Sequence, residues 1–287
     1  MAMRCRWLAT AAFAALFVSG ARHGFLDAQS TTAQTYASVV DDQGNAVTDL
    51  RASDFLITLD GRPADIVTVT KSNDPVSLAL AINADLNDLP AIKAAVHSIV
   101  DALRATAPGT RVGVRLPGSD SMRFAPVEDR VDALEGLSAL TGRDYGLLNA
   151  IVNAARSLGN ESARRRVVLA VDRLDALVPG EFSAEEVAES LRATRSALWA
   201  IEMTNLAASG QTQREIALLD VSEMSGGGCE TVFGVEGLQA AARQITGGLV
   251  SRYVITYTAG STAGQRTLRV GVRRSGVKVF APSWTQD

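Results

Sequence analysis

Two short stretches concentrate side chains that could do chemistry. Asn83-Ala84-Asp85-Leu86-Asn87-Asp88 follows the apolar run Leu78 to Ile82, and Asp172-Arg173-Leu174-Asp175 follows Val167 to Val171. Carboxylate and amide oxygens in two loops that converge suit a hard divalent cation such as magnesium, manganese or calcium. Asn and Asp also serve as ordinary turn and N-cap residues, so residue type alone leaves both roles open. Zinc does not fit, because beyond residue 28 only His97 and Cys229 offer a nitrogen or sulfur ligand.

Catalytic arrangements are sparse. There is no G-x-S-x-G elbow, and Gly226-Gly227-Gly228 lacks the Lys-Ser/Thr that completes a phosphate-binding loop. His97 falls inside a helical pattern, and the pairs Asp172/Asp175 and Glu185/Glu186 have nothing to position a substrate between them. Cys229 reads as a small packed residue after a turn. Arg164-Arg165-Arg166 could bind an anion, but the run is short and reads as a solvated turn before a buried strand. The expectation is a protein that is not an enzyme.

The elements that must position the two loops follow from periodicity. Leu78 to Ile82, Val167 to Val171 and Ala197 to Ile201 are continuous apolar runs, as in strands buried on both faces. Between them, apolar residues recur at helical spacing over 92–103 and 147–158, and Ser183 with Glu186 makes a capping box for a further helix. Helical patterns also cover 214–224 and 238–249. Strands alternating with helices predict a largely parallel sheet with helices on both faces. Ligands then collect at the carboxyl ends of the strands, where both oxygen-rich stretches fall. The flanks differ in texture. Tyr36 to Val40, Asp54 to Asp60 and Ile66 to Val69 are short strands, as are Tyr253 to Thr258, Thr267 to Arg273 and Val277 to Phe280. Arg274-Ser275-Gly276 between the last two predicts a hairpin. Neither flank can bury its apolar face alone, so residues 34–70 are expected to pack with 267–280.

Composition bounds the rest. The chain has 287 residues, 47% hydrophobic and 21% charged, which excludes wholesale disorder. Arg4, Arg6 and the apolar run Trp7 to Val18 read as an export signal, too short to span a bilayer comfortably. Net charge is −3, and no basic stripe points to nucleic acid as a partner. With Cys5 in the signal, Cys229 has no partner for an intrachain disulfide. The expected organisation is a signal peptide over 1–28, a small β module over 29–74, an α/β domain over 75–258 and a C-terminal hairpin and tail over 259–287. After signal cleavage no membrane span is expected, and the destination is the periplasm or the exterior.

The whole layout resembles a von Willebrand factor type A (VWFA) domain, and more narrowly the exported bacterial "VWFA-related" proteins. The resemblance rests on VVDDQGNAVTDLRASDFLITLDGRPADI, LQAAARQITGGLVSRYVITYTAG and LRVGVRRSGVKVFAPSW in that order, and covers nearly all of 34–284. It implies an α/β fold: a doubly wound, mostly parallel six-stranded sheet with helices on both faces, plus a small β module. Family members with an intact metal-ion-dependent adhesion site carry D-x-S-x-S after the first strand, with a threonine and an aspartate from later loops. Here Asn83, Asp85 and Asn87 stand at the D-x-S-x-S positions, Asp144 and Tyr145 near the threonine, and only Asp172 matches outright. The resemblance therefore implies a degenerate site at Asn83, Asp85, Asn87 and Asp172, expected to be metal-free. Leu86, Asp88, Asp144, Tyr145 and Asp175 are the expected ligand-contact positions. The implied function is non-enzymatic binding of a protein or other extracellular ligand. A structural subunit of an envelope complex, or a metal-dependent adhesion protein if the altered site still binds an ion, are the alternatives.

Overall fold

The computed structural model describes residues 31–84, 87–115, 122–127, 146–163, 165–173, 182–204, 213–260 and 264–285. The chain opens with four strands, β1 (Thr32–Asp41), β2 (Phe55–Leu59), β3 (Arg62–Pro63) and β4 (Ile66–Lys71). It then alternates through β5 (Val76–Asn83), α1 (Leu89–Thr106), β6 (Arg111–Arg115), β7 (Met122–Pro126), α2 (Leu147–Leu158), β8 (Arg165–Arg173), α3 (Ala184–Thr194), β9 (Ser196–Thr204), α4 (Gln213–Ser225), β10 (Gly228–Phe233) and α5 (Leu238–Val250). Three strands close it: β11 (Arg252–Thr258), β12 (Leu268–Val272) and β13 (Val277–Phe280).

Six strands form the central sheet in the order β10-β9-β8-β5-β6-β7, parallel throughout except for the antiparallel edge strand β7. Its two faces differ because the runs alternate residue size. Leu78, Leu80, Val167, Leu169 and Trp199 point to one side, where α1 and α5 cover them. Ala79, Ala81, Ala170 and Ala200 point to the other, against apolar stripes of α2, α3 and α4. The capping box forms at the start of α3: Glu186 N donates to Ser183 Oγ at 3.3 Å, and Ser183 N donates to Glu186 Oε2 at 2.8 Å. This is the expected α/β architecture: a mostly parallel six-stranded sheet with helices on both faces, plus a small β module.

Two antiparallel sheets stack beside it. One has the order β13-β1-β11-β4 and the other β12-β2-β3. Ala37, Val39, Ile255 and Tyr257 of the first meet Phe55, Ile57 and Leu59 of the second in a shared apolar layer. The expected hairpin at 274–276 is corrected here. β12 pairs with β2 and β13 pairs with β1, so the turn carries the chain from one sheet to the other. A paired hairpin would extend only one sheet; split, the two strands widen both layers over the same core. The edge of the first sheet also meets the α/β unit, where the Phe280 and Trp199 rings lie 4.8 Å apart.

Two local features tie the flanks together. Asp60 (φ 49°) and Gly61 (φ 78°) form the tight turn between β2 and β3. The Asp60 carboxylate accepts from Arg266 Nε at 2.7 Å and from Thr267 N at 3.0 Å, contacts that hold its pKa below the usual range. Stability from a lowered carboxyl pKa is present above the unfolded value and is lost as pH falls through the folded one. Asp60→Asn should therefore lower stability at neutral pH and flatten the parent's acid dependence below about pH 4, read by urea unfolding across pH.

Close approach is the second feature. A Cβ on Gly247 of α5 would lie 1.9 Å from the Gly44 carbonyl oxygen, a backbone atom that cannot step aside. Gly247→Ala gains about 1 kcal/mol of helix propensity. The overpacking cost of about 1–3 kcal/mol should exceed it, giving a net loss in a denaturant titration.

Candidate functional site

β5 sits between β6 on one side and β8 on the other, so the chain reverses its winding direction there. In a doubly wound sheet this opens a crevice at the carboxyl ends of the two strands flanking the switch. The parallel register aligns Asn83 with Asp172, Asp172 with Glu202, and Glu202 with Thr231. One row of polar residues thus crosses four strands at the crest of the sheet.

Within that row Asn83 Nδ2 donates to Asp172 Oδ1 at 2.8 Å. The opposite amide orientation would set two acceptor oxygens against each other, so chemistry fixes the choice. Asp172 and Glu202 are each 1% exposed, two carboxylates withdrawn from water on adjacent strands. Thr231 Oγ1 donates to Glu202 Oε2 at 3.5 Å. One residue beyond Asp172, the Arg173 guanidinium ion-pairs with Asp88, just before α1. The hydrogen bond and the ion pair together join Asn83 and Asp88 to Asp172 and Arg173.

Several expected site residues need relocation. Asn83 is the last residue of β5 rather than a turn residue, and Asn87 lies exposed in the turn before α1. Asp88, expected as a ligand contact, has its carboxylate engaged by Arg173 and so ties loop to loop. Asp85, Leu86, Asp144, Tyr145 and Asp175 lie outside the described residues.

His97 sits in the middle of α1 with Nδ1 2.9 Å from Lys93 O, a contact within its own helix. Cys229 is partly buried in β10 against the small-residue face of the sheet. The arginine run is corrected. Arg165 and Arg166 are the first residues of β8, not a solvated turn, and Arg165 is only 2% exposed. Arg166 donates to Thr194 O at 2.9 Å and Glu161 O at 2.6 Å. The carbonyl acceptors at these element ends draw the side chains inward.

Glu202 and Phe233 belong to the crest and were not singled out from sequence. Glu202 follows Ala197 to Ile201 directly, so the rule that picked out Asp172, the residue after a buried run, also points to it. Phe233 ends β10 opposite Thr204 and is 63% exposed. Its strand begins at the third of three glycines, and Gly-Cys-Glu-Thr-Val-Phe lacks the continuous apolar run that marks the others.

The row offers hard oxygen donors: the carboxylates of Asp172 and Glu202, the hydroxyl of Thr231 and the carbonyl of Asn83. Asp172 Oδ1 already accepts from the Asn83 amide, so an ion using that oxygen would share it with the amide hydrogen or displace it. Among the described residues no three His, Cys, Asp or Glu side chains come together as a metal cluster.

No protein-family model matches the chain, and no curated protein does. Solved structures similar to it include proximal thread matrix protein 1 from the mussel byssus, at 15% identity and TM-score 0.48, covering 72% of this chain and 51% of that one. The pilus adhesin SpaC from Lactobacillus rhamnosus GG is similar at 8% identity and TM-score 0.45, covering 86% and 48%. An aerotolerance-related membrane protein from Bacteroides fragilis is similar at 17% identity and TM-score 0.40, covering 60% and 98%. The chain spans about half the length of the mussel protein and of the adhesin. Among the described residues no helix is long and apolar enough to cross a membrane.

The Asn83–Asp172 contact makes a direct prediction. Asn83→Asp sets a second carboxylate against Asp172, which raises the pKa of the pair. The variant should lose thermal stability as pH rises through that raised value and recover on acidification or with millimolar magnesium or calcium. An unchanged midpoint from pH 5 to 8 would show that the two side chains do not meet.

Proposed function

We propose that this protein is an exported, non-enzymatic VWFA-like module that captures a protein or other extracellular ligand through the carboxyl-end crest of its central sheet, without a bridging metal ion. The observation that carries this reading is the Asn83–Asp172 hydrogen bond. Where an acidic partner would meet a cation held by two loops, this chain closes the gap with an amide. The amide supplies the positive hydrogen a carboxylate needs, so the loops converge with no ion between them. Phe233, exposed at the end of β10, supplies apolar contact area beside the polar row, the composition typical of binding hot spots. The non-enzymatic reading is supported by His97, whose Nδ1 meets Lys93 O within its own helix.

Assembly into an envelope complex is favoured by a different observation. β4 is an edge strand of its sheet, and Val67 on it is 53% exposed. Exposed apolar edges are where further strands add.

The two readings separate in one experiment. The purified chain, immobilised, is tested for capture of proteins from the outer surface and medium of its own cells, with EDTA or with magnesium. The binding-module reading expects capture that is insensitive to EDTA, falls about tenfold or more in Phe233→Ala at unchanged midpoint, and is untouched by Val67→Lys. EDTA-sensitive capture would make the site metal-dependent after all. Loss confined to Val67→Lys would favour assembly through the sheet edge.

A further inference from the structure

β12 and β13 are joined at the 274–276 turn and held together again beyond β13, yet between those points they belong to different sheets. At the far end Leu268 N donates to Ser283 O at 2.9 Å and Thr285 N to Arg266 O at 3.1 Å. Residues 283–285 thus run antiparallel along the start of β12, and the chain before them lies in β13 beside β1. Alternation along a strand tells which backbone groups face the opening between the arms. Thr267 O accepts from Asp60 N and Arg273 N donates to Asp54 O, both on the β2 side. The odd-numbered residues of β12 therefore turn N–H and C=O toward β2, while Val270 and Val272 turn theirs away. On β1, Val39 N donates to Ser251 O, so Ser38 and Val40 are the residues that face β13. They lie opposite Phe280 and Lys278, which leaves Val279 and Ala281 with outward backbone. β12 and β13 are each the end strand of their sheet.

The opening is a groove of about 450 Å³, within the size range of ligand pockets. Val270, Val279 and Ala281 line it, and their side chains are half-buried at the margin of the apolar layer between the two sheets. The end of α4 contributes Asp220, Glu223 and Met224, which share one helical face by their spacing and are all exposed. Met224 O accepts from Ser283 N at 2.9 Å, which ties α4 to the chain that closes the groove. Two carboxylates against the guanidinium of Arg269 leave the groove net negative. Because α4 ends just before β10 begins, the groove lies at the amino end of the central sheet, away from the crest.

We propose that this groove binds an extended segment of a partner protein, which adds as a strand to the outward edge of β12 and carries a basic residue. Open backbone edges call for a strand, because an extended chain alone presents donors and acceptors at the matching repeat. Side-chain alternation sets the pattern: apolar residues meet Val270 and Val279, and the residue between them turns toward Asp220 and Glu223. The sign of the groove makes that residue a lysine or arginine. The chain already uses this mode on itself, since 283–285 pair with the start of β12 and stop short of Val270. An added segment continues that ladder, whatever the crest binds.

The test is fluorescence anisotropy of labelled peptides, capped at both ends, with the purified chain. Thr-Val-Lys-Val-Thr should bind saturably, and Thr-Val-Glu-Val-Thr at least about tenfold more weakly. N-methylation of the lysine peptide's amides removes the donors of a strand ladder without changing charge, and should abolish binding. Asp220→Asn with Glu223→Gln, both at exposed positions, should bring the lysine peptide down to the affinity of the glutamate peptide. Val270→Pro removes an outward N–H while leaving the β2 side of β12 intact, and should also abolish binding. If that variant fails to fold, the N-methylated peptide carries the same test on the unaltered chain. Equal affinity for the two peptides, binding retained after N-methylation, or no saturable binding up to millimolar peptide would each overturn the proposal. So would a dimer that forms without peptide and blocks it, because a second copy would then fill the groove.

Discussion

Seven residues of β1 lie opposite seven of β11, from Thr32 facing Thr258 to Ser38 facing Arg252, so that Gln34 meets Thr256 across 222 positions of sequence. Everything outside the α/β unit depends on that pairing. The first four strands expose an apolar face they cannot cover, and so do the last three; only together do they enclose Ala37, Phe55, Ile57, Tyr253 and Ile255. The entropic cost of closing so long a loop grows only slowly with length, and the inserted domain folds on itself meanwhile. Side chains then satisfy the irregular backbone beside the junction. Ser251 Oγ and Tyr253 OH both donate to Val47 O, at 2.7 and 2.9 Å, and Leu50 N donates to Tyr253 OH at 3.1 Å. The Val47 carbonyl and the Leu50 N–H, in a segment without regular structure, thereby find partners beside the core.

The crest follows from the same sheet by register rather than by loop design. Parallel register brings residues near the carboxyl ends of the strands side by side, so Asn83, Asp172, Glu202 and Thr231 share a row without any loop having to deliver them. Two adjacent buried carboxylates are costly unless protons, cations or donors reach them. Asn83 supplies such a donor to Asp172, and Thr231 supplies one to Glu202. An aspartate at position 83 would instead leave that oxygen to be satisfied by something from outside. A single amide in place of an acid therefore shifts this end of the sheet toward a preformed surface. We take that surface, with Phe233 beside it, as the part that meets a ligand.

Much of this was legible in sequence, for reasons that also explain the rest. Leu78 to Ile82, Val167 to Val171 and Ala197 to Ile201 announce central strands because both their faces must be apolar. Ser183 and Glu186 announce a helix start because few other spacings satisfy two backbone donors at once. β7 and β10 carry weaker signals, since edge strands expose one side and their apolar runs are broken by polar residues. The split of β12 from β13 was invisible because Arg274-Ser275-Gly276 specifies a reversal of direction, not which strand receives each arm. Arg165 misled for a related reason: a charged run reads as solvated until the carbonyls that accept it are seen.

The two ends of the central sheet carry opposite charge, and the helices account for it. In an α/β layer the helices run antiparallel to the strands, so helix C-termini and their unsatisfied carbonyls gather at the amino end of the sheet. Cations are favoured there, and Arg165 reaching Leu249 O in the last turn of α5 and Arg166 reaching Thr194 O at the end of α3 are direct instances. Helix N-termini gather at the carboxyl end and favour the acids of the crest. β8 alone records the whole gradient, beginning with Arg165-Arg166 and ending at Asp172. Partial charges on helix carbonyls can accept guanidinium hydrogens but cannot cancel a full charge. Arg252, which begins a strand of the neighbouring sheet, instead lies over the Tyr36 ring. The two ends therefore differ in what meets their charge. At the crest the Asn83 amide and the Thr231 hydroxyl donate to the acids, and at the base helix-end carbonyls accept from Arg165 and Arg166.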